Sequence, residues 1–144
     1  MEYVIMGLCS AVGTAFFALS VRSSLKTGII AGCLGGVGYA LYIILIEYMS
    51  ASGAVFIATL VACLGAEFVA RIIKTPATVL SIPAIISLVP GISLYKTMIS
   101  FGAGDNSAGV NRAVATLVIA GSMSLAVTLA TLAAKMFFKK HHIK

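Results

Sequence analysis

Long apolar runs separated by short polar connections make up most of this chain. Five runs have about the 20 residues that cross a bilayer as a helix; they cover residues 3–21, 28–48, 54–73, 77–95 and 113–134. None shows the alternation, over segments of about ten residues, that membrane strands need. The pattern predicts an all-α integral membrane protein: one transmembrane domain over residues 1–144, folded as a five-span helical bundle.

Composition supports the membrane assignment. The 144 residues are 60% hydrophobic and 10% charged, and the mean hydropathy is +1.11. A soluble domain carries roughly 25% charged residues. The net charge of +6 does not indicate a nucleic-acid partner, because the basic residues lie in short clusters between apolar runs rather than on one solvated face. They flank a lipid bilayer instead.

The basic residues also predict the orientation. Eight of the ten follow the first, third and fifth runs: Arg22, Lys26, Arg71, Lys74, Lys135, Lys139, Lys140 and Lys144. The positive-inside rule makes their side cytoplasmic, with the N-terminus outside and the C-terminus inside. A re-entrant fourth run would put the lysine tail outside, so we favour five spans. Residues 96–112, rich in Gly, Ser, Asn and Asp, read as an irregular external connection, although the apolar residues 97–101 could extend the fourth helix or lie in the interface.

Small residues recur every four positions in two runs. They are Gly28, Gly32 and Gly36 in the second run, and Ala58, Ala62, Ala66 and Ala70 in the third. Such stripes allow helix backbones to approach closely in a membrane. Packing within the chain is favoured over contact between subunits, and both interpretations stay open.

The fourth run carries three prolines at seven-residue spacing, Pro76, Pro83 and Pro90, and the last is followed by Gly91. Proline removes a backbone donor and clashes with the preceding turn, so Pro90-Gly91 predicts a broken fourth helix. Broken helices at membrane depth line cavities or are buried in protein, and transporters aim their free N–H groups at anionic substrates. The alternative is a kinked helix whose backbone is satisfied by its neighbours.

Glu67 is the deepest acidic residue. It precedes Arg71 by four positions, a spacing that places both side chains on one helix face. A carboxylate within a membrane span suggests a functional role, such as coupling to protons. A structural ion pair near the interface is the slightly favoured alternative.

No catalytic set is visible, so we do not expect an enzyme. His141 and His142 lie in the basic tail, with no acidic residue near them in sequence. The cysteines Cys9, Cys33 and Cys63 lie in apolar runs without metal-ligand spacing, which predicts buried, inert thiols. We expect no metal and no cofactor.

Residues 65–100 resemble the second membrane domain of the ThrE threonine/serine exporter family, and the small subunit of its split two-component exporters, including the succinate type. The matching features are Ala66-Glu67, Ala70-Arg71, Pro76, Pro83 and the run VPGISLY at residues 89–95. The likeness covers nearly the full length. It implies a bacterial inner-membrane protein that works with a larger membrane subunit resembling the first domain of the family. Two halves of opposite orientation, with a site between them, are a known transporter plan.

The leading hypothesis is the small membrane subunit of a secondary exporter for small carboxylate metabolites. Threonine and serine come first, and succinate is the alternative. The break at Pro90 and Gly91 would present N–H groups and Ser93 to a substrate carboxylate. Three further residues would line the route: Ser87, Tyr95 and Pro83. Glu67 and Arg71 would form an inner gate or coupling pair.

Two other interpretations stay open. The small-residue stripes also suit a membrane scaffold or assembly subunit without a substrate path, and the chain could associate with itself in place of a partner. Lys96 follows Tyr95 at the outer end of the broken helix. Its ammonium could attract a carboxylate, although a solvated flanking residue is slightly favoured.

Overall fold

The computed structural model describes residues 2–139, with side chains for residues 4–137. The predictions on Lys139, Lys140, Lys144, His141 and His142 therefore concern side chains outside the described part. The described chain is all-helical, with six helices: α1 Glu2–Ser20, α2 Leu25–Ile46, α3 Ala51–Ile72, α4 Ala77–Ile86, α5 Gly91–Gly102 and α6 Asn106–Lys139.

Two tight turns on one side of the bundle place a basic residue in the left-handed region. Arg22 has φ 60° and Lys74 has φ 55°. After each, the next backbone N–H closes the preceding helix: Ser23 donates to the Ala18 carbonyl at 3.2 Å, and Thr75 to the Ala70 carbonyl at 2.9 Å. This left-handed closure satisfies carbonyls that the helix end would leave free.

The glycine stripe of α2 packs against α1. A Cβ at Gly32 would lie 2.7 Å from the Ala11 carbonyl oxygen, and one at Gly36 would lie 2.7 Å from the Ala11 Cβ. Only glycine permits this approach of the two backbones. The stripe is therefore used within the chain, as the favoured interpretation expects.

Helix α3 is central and packs against α2, α4 and α6. Its alanine stripe is buried along its whole length. Ala66 and Ala70 belong to the main core cluster with Ala18, Ala31 and Leu80. Helix α6 has its own buried alanine stripe, Ala126, Ala130 and Ala134, which the sequence analysis did not use.

The predicted fourth run is occupied by two helices. Helix α4 ends at Ile86, α5 begins at Gly91, and their axes are bent by 49°. Helix α4 packs into the bundle against α1, α2 and α3, whereas α5 packs on α6 alone among the described helices. The two helices therefore belong to different parts of the bundle.

The irregular connection expected over residues 96–112 is limited to a short turn, and residues 97–101 are helical, as the alternative interpretation expects. Helix α5 continues to Gly102 and α6 begins at Asn106, so three residues form the turn. Gly104 takes φ 80°, and the Asp105 carboxylate accepts the Ala108 N–H at 3.0 Å. A left-handed glycine followed by a capping aspartate ends one helix and starts the next.

Three helices are long and apolar enough to cross a membrane: Leu25–Ile46, Ala51–Ile72 and Asn106–Phe137. The bent pair makes a fourth if it is one span, and the apolar part of α1, Val4–Ser20, is shorter. The chain is thus a helical membrane protein with three to four candidate spans.

Cys9 and Cys33 are exposed, and only Cys63 is buried. The expectation of three buried thiols is wrong, because apolar residues of a membrane protein also face lipid.

Candidate functional site

Two cavities flank the break between α4 and α5. The α1-side cavity has a volume of about 320 Å³ and is lined by Met6, Cys9, Ser10, Tyr39 and Ser87. The break cavity, of about 170 Å³, lies among α2, α3, the break and α6. Tyr39 and Ser87 line both cavities, so the two spaces adjoin at these residues.

The helix ends at the break carry unsatisfied backbone groups. Pro90 caps α5 without a side-chain hydrogen bond. The Gly91 N–H donates to the Val89 carbonyl at 2.7 Å, and the Leu94 N–H to the Pro90 carbonyl at 3.1 Å. The N–H groups between them lie in the first turn, where a helix has no internal acceptor and carries partial positive charge. This end of α5 suits a carboxylate.

Two hydroxyls beside the break have no partner in the described structure. The Ser87 and Ser10 Oγ atoms are buried without a hydrogen bond, and both residues line the α1-side cavity. An unsatisfied buried hydroxyl costs about 1–3 kcal/mol. Such a group next to a cavity is available to a polar ligand.

A third space, the cation cavity, continues from the break along α5 and α6. It has a volume of about 260 Å³ and is lined by Ser93, Lys96, Arg112, Ala115 and Thr116. Ser93 also lines the break cavity. Arg112 Nη1 donates to the Lys96 carbonyl oxygen at 3.4 Å, and within residues 4–137 neither cation forms a salt bridge. The cavity therefore favours anions.

The structure brings together four of the six predicted pathway residues. Ser87, Pro90, Gly91 and Ser93 all line the break cavity. Tyr95 is 65% exposed on α5 and does not line it.

Pro83 is buried in α4, about one turn before Ser87, and lines a separate groove between α1 and α4. The Glu67 and Arg71 side chains form an ion pair at 3.7 Å, with 13% and 41% of their surfaces exposed. This pair does not line the break cavity. The predicted gate and the predicted pathway are thus separate features of the bundle.

Tyr39, Tyr42 and Ser10 also line these cavities, although the sequence does not single them out. The two tyrosine rings lie 6.0 Å apart between centroids, and both line the break cavity. The two tyrosines are three positions apart in the second apolar run, a spacing that places both side chains on one helix face. Ser10 gave no signal, because a single serine in an apolar run indicates no particular partner.

Apolar helices long enough to cross a bilayer define a helical membrane protein, and serine and tyrosine side chains line the two cavities at its helix break. The family model described as threonine/serine exporter, ThrE, matches residues 6–133, and the chain belongs to this exporter family. No curated protein and no solved structure shows a significant match.

Proposed function

We propose that this protein is the small membrane subunit of a secondary exporter for small carboxylate metabolites, with threonine and serine as the first substrates. The observation that carries the proposal is the α4–α5 break, where cavities on both sides share Ser87 and Tyr39. Membership of the exporter family supports the reaction class.

The substrate carboxylate binds at the start of α5. The first-turn N–H groups and Ser93 offer donors, and the helix dipole favours the negative charge. Ser87 and Tyr39 lie across the break cavity and bind the substrate's polar groups. Pro90 and Gly91 keep the backbone non-helical there, while Tyr95 and Pro83 make no substrate contact in this proposal.

The proposed topology has five spans, counting α1 and the bent pair as one span each. At a rise of 1.5 Å per residue, the 10 residues of α4 and the 12 of α5 measure roughly 15 and 18 Å. Together they match the roughly 30 Å hydrocarbon core. A bend of 49° supports one continuing span, since a re-entrant hairpin reverses direction. The N-terminus is then outside a bacterial inner membrane.

A larger subunit of the same family is the proposed partner. Helix α5 packs on α6 alone and leaves Ile92 and Met98 largely exposed, so the break is open on one side. A second domain of opposite orientation would close it, as in transporters with inverted halves. A second copy of this chain is the alternative occupant.

Succinate is the second candidate substrate, and the cation cavity favours it. Ser93 lines both this cavity and the break cavity. A dicarboxylate with one carboxylate at the start of α5 would direct its second carboxylate toward Lys96 and Arg112. Neutral threonine and serine side chains would not use these cations.

The scaffold interpretation loses part of its motivation. The glycine stripe of α2 packs on α1, and the alanine stripe of α3 is buried in the bundle. Neither stripe is free to bind another subunit.

Efflux from cells preloaded with labelled threonine, serine and succinate tests the proposal. Three strains carry this chain alone, the larger partner alone, or both. We expect efflux only with both, and the preferred label names the substrate. Efflux from this chain alone would contradict the paired exporter, and no efflux in any strain with both chains in the membrane would contradict transport of these substrates.

A further inference from the structure

A groove separate from the break runs between the end of α1 and the start of α4. It has a volume of about 260 Å³. Apolar residues line most of it, among them Val79, Ile82 and Pro83, and Arg22 and Ser23 line its end at the helix termini. The groove thus has an apolar body and a cationic end.

The apolar part of the groove opens sideways, toward lipid. Val21 and Ile82 line it and are 64% and 56% exposed. Exposed apolar side chains of a membrane helix face lipid. The groove therefore adjoins the space that acyl chains fill around a membrane protein.

The end of the groove carries one positive charge, the guanidinium of Arg22. Arg22 lines it, and its left-handed backbone, φ 60°, lies in the short turn between α1 and α2. Lys26 in the first turn of α2 and Lys74 in the turn before α4 add positive charge on the same side of the bundle, but neither lines the groove. Guanidinium groups bind phosphate oxygens bidentately, and basic pockets between membrane helices bind anionic head groups.

We propose that this groove binds one anionic phospholipid, with the phosphate at Arg22 and an acyl chain along Val79 and Ile82. Charge and shape both favour this occupant: the cation meets the head group at the membrane surface, and the apolar wall continues into the bilayer. Neither the family match nor the break assigns a ligand here. Because the lipid contacts both helices, it holds the end of α1 against the start of α4.

The test compares phosphatidylglycerol and phosphatidylcholine bound to the purified protein in mixed micelles, counted by native mass spectrometry. We expect the wild-type chain to retain one phosphatidylglycerol in preference to phosphatidylcholine. Arg22→Asn should weaken phosphatidylglycerol binding by roughly fivefold to tenfold and leave phosphatidylcholine unchanged, since asparagine tolerates the left-handed backbone. Lys26→Gln, a charge change that does not touch the groove, is the matched control.

A second variant tests the apolar part. Val79→Phe fills the groove and should reduce retention of both lipids, with unchanged helix content by circular dichroism as the check on folding. Equal retention of both lipids by the wild-type chain would overturn the proposal. An equal loss of phosphatidylglycerol binding in Arg22→Asn and Lys26→Gln would also overturn it, because it would indicate diffuse attraction to the basic loop. A Val79→Phe variant that binds both lipids as the wild-type chain does would overturn it as well.

Discussion

Ser87 and Tyr39 lie on both cavities that flank the α4–α5 break, and the Ser87 hydroxyl has no hydrogen-bond partner in the described structure. One residue ends α4 and the other lies in α2. The break is therefore a polar junction between two spaces, and this relationship underlies the proposed transport role.

Packing of α1 on α2 depends on Gly32. Adding a Cβ there meets the Ala11 carbonyl oxygen at 2.7 Å and the Ala15 Cβ at 2.9 Å, and a backbone oxygen cannot move aside alone. We expect Gly32→Ala to destabilise the bundle by about 1–3 kcal/mol, measured as a lower melting temperature in detergent. Gly121→Ala, where nothing lies within 4 Å, is the control and should be neutral or slightly stabilising. Equal melting temperatures for the two variants would contradict this packing.

The cation cavity predicts a substrate-dependent effect. Replacing both Lys96 and Arg112 with glutamine should lower succinate efflux by roughly tenfold or more, because two charge-assisted contacts to the second carboxylate are lost. Threonine efflux should change little. Labelled efflux of both compounds from the same cells measures the ratio. Lys135→Gln, an exposed change on the distal part of α6, is the control. An equal loss for both substrates would argue against a second carboxylate site.

The Glu67–Arg71 pair predicts a separation between stability and coupling. Its carboxylate and guanidinium are 3.7 Å apart and partly exposed, so the pair should contribute at most about 1 kcal/mol to stability. We expect Glu67→Gln to leave the melting temperature nearly unchanged and to remove the dependence of efflux on an imposed pH gradient. Efflux that keeps its full dependence on the gradient in this variant would leave the pair a purely structural role.

The sequence predicts the helical membrane class, but not how the chain after Lys96 is arranged. Apolar runs locate helices because each must satisfy its own backbone in lipid. The start of α6 at Asn106 is not evident from the sequence, because Gly104 and Asp105 have the composition of a loop, whereas in the structure they are a helix stop and a cap.

The missed site residues have a different cause. Ser10 reaches the break because the glycines of α2 let α1 pack closely, and Tyr39 reaches it because α2 packs against α4. No local pattern reveals these tertiary contacts. The alanine stripe at Ala126, Ala130 and Ala134 did carry a four-residue signal that could have located the contact of α6 with α3.

The most direct measurement is threonine and serine efflux in Ser87→Ala, with the larger partner present. The wild-type hydroxyl has no partner in the described structure, so its removal should not lower abundance or melting temperature. A lost hydrogen bond to a charged substrate should reduce efflux by roughly tenfold or more. Ser124→Ala, at an exposed position of α6 with its hydroxyl bonded to the Ala120 carbonyl, is the matched control and should transport normally. Normal efflux in Ser87→Ala, at equal amounts in the membrane, would contradict a substrate site at the break.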